Sequence, residues 1–365
     1  MKKLLVIPIF IPHLGCPHKC VFCNQRKITG KTTQVTTSYI KETIDFFLTF
    51  KEGKDKVEVA FFGGTFTGLP ISLQRDFLST VAPYIQKGYV DYIRLSTRPD
   101  YINEDILIFL RDHNVRIIEL GIQSLVDEIL EKAERGHTKE DSEKASILIK
   151  EKGFILGHQI MPGLPGDTKD TILQTVRESI RLRPEIVRIY PTLVLENTEL
   201  FNMYKKGDYT PLSLENTIKI IAISYLYYMA NNINVIRIGL QTTDEINKEH
   251  IIAGPYHPSL GEIIRTRIFL WMILYLVKSK NNMNDNDGNV IIYTNKKDLP
   301  YVVGYKKENI KRLKNFYPKL SIKTDSFIKI GTVFFERNKK VDKISLVDFS
   351  KKVYKNIINI ESLLR

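Results

Sequence analysis

The sequence predicts an α/β fold: a partial (β/α)6 TIM-like barrel followed by a small α+β domain. Three observations predict it. Apolar, β-rich runs alternate with helical patterns along the first half of the chain. The strand-like runs are almost continuously apolar, as in a parallel sheet covered by helices. No Gly-x-Gly-x-x-Gly follows the first run, which disfavours a dinucleotide-binding sheet.

The elements follow in order. "LLVIPIFI" (4–11) reads as a buried first strand and "YIKETIDFFLTF" (39–50) as a helix. "VEVAFF" (57–62) and "YIRLST" (92–97) are strands, with the helical "SLQRDFLSTVAPYIQ" (72–86) between them. "EDILIFLRD" (104–112) is helical and "VRIIELG" (115–121) extended. "FILGHQIM" (154–161) and "EIVRIYP" (185–191) flank the helical "TILQTVRESIRL" (171–182). A further apolar run, "NVIRIGL" (234–240), precedes a helical stretch at 258–278. The polar "NNMNDNDGN" (281–289) reads as a linker between residues 1–280, the barrel with its extension, and residues 290–365. That last part holds "VIIYT", the basic helical segment "KKENIKRLKNFY", two more strand-like runs and a final helix.

Composition narrows the setting. Of 365 residues, 43% are hydrophobic and 26% charged, which suits a soluble globular chain with a real core. Three cysteines, an odd number crowded near the N-terminus, argue against a disulfide framework and for a reducing, cytoplasmic location. The net charge of +13 favours phosphate-bearing partners, or else reflects a Lys-, Asn- and Ile-rich composition. No membrane partner is expected, because no apolar run reaches the length of a membrane span. "IFLWMILYLV" (268–277), just after Arg265 and Arg267, reads as a buried helix. "MKKLLVIPIFIPHLGC" mimics a lipoprotein leader ending at Cys16, yet Pro8 and Pro12 interrupt its apolar run.

The chemistry gathers in "LGCPHKCVFCNQRKITG" (14–30), where Cys16, Cys20 and Cys23 form a C-x3-C-x2-C array. This loop follows the first strand, and "GGTFTG" (63–68) follows the second, so a barrel brings both to the rim at the strands' C-terminal ends. Gly63 and Gly64 allow close backbone approach, and Thr65 adds a hydroxyl; a side chain at Gly64 is expected to meet a positive φ. Three thiolates hold three irons of a cubane cluster and leave the fourth iron open. Two other readings stay available: zinc closed by His13 or His18, and free structural cysteines.

The motif C-x3-C-x-aromatic-C, on Cys16, Cys20, Phe22 and Cys23, resembles that of the radical S-adenosylmethionine enzymes. The resemblance implies a [4Fe–4S] cluster on the three cysteines and S-adenosylmethionine on its open iron. One electron then yields a 5′-deoxyadenosyl radical that abstracts a substrate hydrogen. "STRPDYI" (96–102), "ELGIQS" (119–124), "RGHT" (135–138), "MPGLPGDT" (161–168), "YPTLVLENTEL" (190–200) and "AGPYHPSLGEIIRTRIF" (253–269) resemble the subgroup of the Elongator catalytic subunit. The resemblance implies cofactor contacts at Phe22, Gly63, Gly64, Thr65, Ser96, Gln123, Arg135 and Gln159, with Gln123 on the ribose and Arg135 on the carboxylate as in coproporphyrinogen-oxidase-like members, and Gln159 at a further ribose-side position.

Two departures qualify the resemblance. Ser96 stands where the Elongator subunit has a glutamate. Only residues 290–365 follow the linker, so the acetyltransferase domain is expected to be missing, which argues against acetyl-CoA as co-substrate. No residue is assigned as catalytic. Glu119 reads as facing the site or as simply paired, Tyr190 as an adenine contact or as sheet packing, and His137 and His158 as hydrogen-bonded scaffold. The leading substrate is RNA, above all tRNA, with flavodoxin or ferredoxin as the expected electron donor. Lys306, Lys307, Lys311, Arg312 and Lys314, interleaved with Tyr305, Phe316 and Tyr317, are the candidate nucleic-acid contacts, or else a solvated helix face. A small-molecule substrate such as a porphyrin-type intermediate is the rival reading, and a non-catalytic exported lipoprotein the remote one.

Overall fold

The apolar run after the N-terminal lysines forms β1 (Leu4–Ile11), whose whole length pairs in parallel with β2 (Lys56–Gly63). The apolar run within the stretch that mimics a leader is a strand of the sheet. Ile7, Ile9 and Ile11 are buried on one of its faces, each contributing about 1.5–3 kcal/mol of transfer free energy. The computed structural model describes residues 3–11, 15–16, 18–23, 35–240, 251–278 and 289–364, so most of the cysteine loop beyond Cys23 lies outside the described residues.

Each following strand pairs in parallel with the one before it: β3 (Tyr92–Thr97), β4 (Val115–Gln123), β5 (Ile155–Ile160) and β6 (Ile186–Ile189). The helices α1 (Thr37–Leu48), α2 (Ile71–Gln86), α3 (Glu104–Asp112), α4 (Asp127–Lys132), α5 (Lys139–Glu151) and α6 (Lys169–Arg181) lie between them in sequence. This is the expected α/β half-barrel, with every strand ending on the same rim. β1, β3, α3 and the strand Val290–Thr294 have their expected bounds, and the other elements named from the sequence differ by a few residues. Two motif ends are helix caps. Thr138 of "RGHT" closes a capping box with Asp141 at the start of α5, and Thr168 of "MPGLPGDT" does the same with Thr171 for α6. Beyond β6, β7 (Val194–Leu195) pairs antiparallel with β9 (Ile251–Ala253), and α7 (Glu199–Lys206) follows β7.

The chain divides into two compact units, Met1–Leu212 with Leu240–Tyr256, and Ser213–Gly239 with His257–Arg365. The second contains α8 (Leu214–Ala230), β8 (Asn234–Ile238) and α9 (Leu260–Lys278), so α9, expected with the barrel, belongs to its compact set. α9 is apolar on nearly every side and fully buries Trp271, as a helix enclosed by its own domain does. Among the described residues no helix is long and apolar enough to cross a membrane.

A mixed sheet completes this unit, in the order β11 (Leu320–Thr324), β10 (Val290–Thr294), β12 (Thr332–Arg337), β13 (Lys340–Ser345). α10 (Leu299–Val303) and α11 (Glu308–Lys314) connect β10 to β11, and α12 (Leu346–Tyr354) and α13 (Ile360–Leu364) follow β13. One expectation is corrected here. The basic segment is not one helix from Lys306: Lys306 and Lys307 sit at φ 50° and 63°, and α11 begins only at Glu308. Two consecutive left-handed residues cannot continue a right-handed helix.

Candidate functional site

Close backbone contact joins the cysteine loop to the turn after β2. Gly15 has φ 73°, and a Cβ there would land on the Thr65 carbonyl oxygen; one on Gly68 would land on the carbonyl oxygen of Gly15. Two glycines thus let the two loops touch main chain to main chain. Cys16 Sγ lies 3.2 Å from the Thr65 hydroxyl, and Thr65 is itself buried. Gly64 N–H donates to the Ile11 carbonyl over 2.6 Å. The left-handed residue of this turn is Gly63, at φ 103°, and not Gly64 as the sequence suggested. The parallel pairing of Ile11 with Gly63 explains the shift, since a Cβ on Gly63 would sit 3.0 Å from the Ile11 carbonyl oxygen.

The rest of the described loop is held by segments that follow β4 and β7. Val21 N–H donates to Ala133 O and its carbonyl accepts from Leu200 N–H at 2.7 Å. Phe22 is buried in an apolar cluster with Ile129, Leu164, Leu200 and Tyr209. The ring of His18 lies against Gly136, where no Cβ would fit; His13 is outside the described residues. Cys20 is buried, and Arg135 Nη1 donates to its Sγ over 3.1 Å. The second Nη of Arg135 donates to Gly121 O at 2.8 Å. None of the three cysteines is in a disulfide, but among the described residues no three Cys, His, Asp or Glu side chains are arranged to hold a metal ion. Cys16 and Cys20 face separate partners, Thr65 and Arg135.

Other residues named from the sequence end on the same rim. Gln123 closes β4 in a left-handed conformation, φ 61°, and its buried Oε1 has no hydrogen-bond partner. The Nε of Arg135 is likewise buried without one. Ser96 and Gln159 are half-buried on β3 and β5, paired in register with Glu119 and Arg188. His158 is scaffold: Ser146 and Ser179 hydroxyls lie 3.0 and 2.9 Å from its ring nitrogens, and burial with nearby Lys150 pushes its pKa down to about 3. Burial, with the Arg135 and Arg98 guanidinium groups, also pushes His137 down to about 3, so both rings are neutral near pH 7.

The sequence did not disclose the charged belt inside the half-barrel. Arg94 bridges Glu58 at 2.9 Å and Glu119 at 2.8 Å, and Glu119 also stands 2.7 Å from Arg188. Glu119 is therefore paired, and Tyr190 accepts a hydrogen bond from Arg188 Nη1 at 3.1 Å. A Cβ on Gly157 would press on Glu119 Cγ at 2.8 Å, so that glycine leaves room for the carboxylate. Asp167 is a second hidden group. It accepts from Gly163 N–H and the Thr171 hydroxyl, while burial pushes its pKa up to about 6.

In the second unit, Lys306, Lys307, Lys311 and Lys314 are exposed and Arg312 is half-buried. Tyr305 and Phe316 are exposed, but Tyr317 is not available as a stacking surface. It is 4% exposed and packs between Phe335 and Arg337.

Comparison with known proteins agrees with this geometry. Residues 10–178 match the Radical SAM superfamily and residues 184–269 the Radical_SAM C-terminal domain. A tRNA uridine(34) acetyltransferase of Methanocaldococcus jannaschii is 30% identical over 262 residues, 61% of this chain. The chain spans about half of that relative, 48% of its length. An uncharacterized protein of the same organism is 32% identical over 233 residues, covering 60% of this chain and 70% of its own. The solved structure of the archaeal Methanocaldococcus infernus Elp3 shares the fold, with a TM-score of 0.58 at 23% identity over 73% of this chain and 63% of that one. S-adenosylmethionine and a [4Fe–4S] cluster are the cofactors of the superfamily. The residues present suit them: an all-thiol donor set on one loop, with the unpartnered Gln123 Oε1 and Arg135 Nε buried on the same rim. The chain belongs to the radical SAM superfamily.

Proposed function

We propose that this protein is a radical S-adenosylmethionine enzyme that modifies RNA, with tRNA as its substrate class. The observation that carries the reading is the junction of the three-cysteine loop with the Gly63–Gly68 turn, backbone against backbone at one end of a parallel half-barrel. Cys16, Cys20 and Cys23 would hold the cluster, which requires Cys20 to turn from Arg135 toward the other two thiols. Gly63, Gly64 and Thr65 would border the methionyl group, and Ser96, Gln123, Arg135 and Gln159 would line the remainder of the cofactor. When bound, the two cofactors supply the one-electron chemistry that removes a hydrogen atom from a substrate.

The chain's own residues do the positioning. Arg135 keeps a cation beside the cysteine loop, where it favours anionic sulfur and carboxylate groups. The cluster of Phe22, Leu164 and Tyr209 keeps water from the inner side of the loop. His137 and His158 stay neutral and add no competing charge. RNA as substrate is supported by the tRNA-modifying relatives and the net charge of +13; a cytoplasmic setting and a flavodoxin- or ferredoxin-type donor belong to the same proposal. So does a linker at 281–289, of which 281–288 lie outside the described residues. Anaerobic reconstitution followed by a 5′-deoxyadenosine assay, with and without tRNA, tests it. Turnover raised by tRNA is expected, and cofactor cleavage indifferent to tRNA but raised by a small molecule would favour the rival substrate.

A further inference from the structure

The excess positive charge is concentrated in one part of the chain. Residues 290–365 hold 18 Lys and Arg against 7 Asp and Glu, a net +11 of the chain's +13. These residues build the mixed sheet, and its two faces differ. Val290, Ile292, Val333, Phe335 and Ile344 are buried on one face, while the residues alternating with them, apart from the buried Thr332, are half-buried or exposed.

On that open face, strand register sets four side chains in a single row. Lys323 on β11 pairs with Tyr293 on β10, Tyr293 with Phe334 on β12, and Phe334 with Lys343 on β13. The row reads Lys, Tyr, Phe, Lys across all four strands, aromatics central and cations at both edges. Each ammonium rests beside a ring, Lys323 Nζ 6.0 Å from the Tyr293 centroid and Lys343 Nζ 5.8 Å from that of Phe334. Glu336 shares the face, but its carboxylate is engaged by the Tyr293 hydroxyl at 2.6 Å, which also fixes that ring.

We propose that this row is a platform for single-stranded RNA, with the rings stacking on unpaired bases and the lysines meeting the flanking phosphates. An aromatic pair alone would suit any apolar partner, and lysines alone any anion. Rings flanked by cations, on a unit of net +11, suit a polyanion that carries flat apolar faces. The inference shares with the proposed function its choice of RNA and is independent of the radical chemistry.

Fluorescence anisotropy of the full chain with a labelled single-stranded oligoribonucleotide and with a tRNA transcript tests it. Tyr293→Ala and Phe334→Ala should each weaken binding by about five- to a hundredfold, from the stacking of one base. Tyr293→Phe, which keeps the ring face but releases the Glu336 carboxylate, should bind more tightly than Tyr293→Ala. Lys323→Ala with Lys343→Ala should reduce the magnitude of the log-affinity against log-salt slope by about 0.7 for each phosphate left without its lysine. Wild-type affinity in both aromatic variants, with unchanged thermal melting, would overturn the platform. So would a wild-type protein that binds phosphatidylserine vesicles and not RNA. Cofactor cleavage without RNA, measured in parallel, separates the two proposals. RNA bound through the row without cleavage sinks the proposed function alone, and cleavage with RNA affinity indifferent to the row sinks the platform alone.

Discussion

The two sheets handle charge in opposite ways. In the parallel sheet, Arg94 is buried between Glu58 and Glu119, and Arg188 stands against the other side of Glu119. In the mixed sheet, Lys323 and Lys343 are exposed and lean on aromatic rings. A charge inside a covered sheet is tolerated only when paired, because an isolated one loses several kcal/mol of hydration. A charge on an open face has no such constraint and is free to meet a ligand. Pairing fits the belt to a scaffold role, and solvation fits the small sheet to the contact surface proposed above.

The largest expected effect would break this contrast. Glu119→Ala leaves a guanidinium without its carboxylate inside the half-barrel and should cost about 3–5 kcal/mol in denaturant unfolding. Lys323→Ala should stay within about 0.5 kcal/mol of wild type. Equal costs would mean that the two sheets do not differ as described. Next comes Gly15→Ala, whose added Cβ meets the Thr65 carbonyl at a positive φ. A loss of about 1–3 kcal/mol is expected, with impaired iron loading. Normal loading would show that the loops need not touch.

A smaller effect is pH-dependent. The folded pKa of His158 lies near 3, below the ordinary 6.5, so the folded state stays neutral while the unfolded chain takes up a proton. Stability contributed by this neutrality is complete above about pH 7. It falls as pH drops from 6.5 toward 3, at up to about 1.4 kcal/mol per unit. His137 behaves in the same direction. Chemical denaturation between about pH 7 and 4 should show a shallower fall in His158→Gln, and an unchanged slope would contradict the assignment. Smallest is the effect of Lys307, Lys311 and Arg312 together replaced by alanine. Each phosphate that these cations no longer neutralise should flatten the tRNA salt slope by about 0.7–0.9, and no flattening would leave the open sheet face as the main RNA surface.

What the sequence discloses follows from how local each signal is. Strand and helix order was legible because buried parallel strands are apolar throughout, and the thiol triad because its spacing is contained in one loop. The belt was not: Arg94 meets carboxylates 36 and 25 residues away, and only the sheet register brings them together. Cys20 and Arg135 are 115 residues apart, so their contact was equally hidden. Gly15 and Gly68 look like ordinary turn glycines until two backbones are seen to touch. The Lys–Tyr–Phe–Lys row is invisible in sequence because its members come from four strands. Tyr317, read as a stacking residue, turned out to be core for the same reason: a basic neighbourhood does not reveal which way a ring faces.

On the function proposed above, three thiols on one rim loop equip this chain for radical S-adenosylmethionine chemistry. Anaerobic reconstitution with iron and sulfide, then dithionite and S-adenosylmethionine, tests it most directly when wild type is compared with Cys16→Ala, Cys20→Ala and Cys23→Ala. The wild-type protein should be brown, with about four irons per chain, and release 5′-deoxyadenosine, and the variants should lose most of the iron and all of the product. Single variants that keep a full cluster, or a wild type that takes up zinc and yields no 5′-deoxyadenosine, would contradict it.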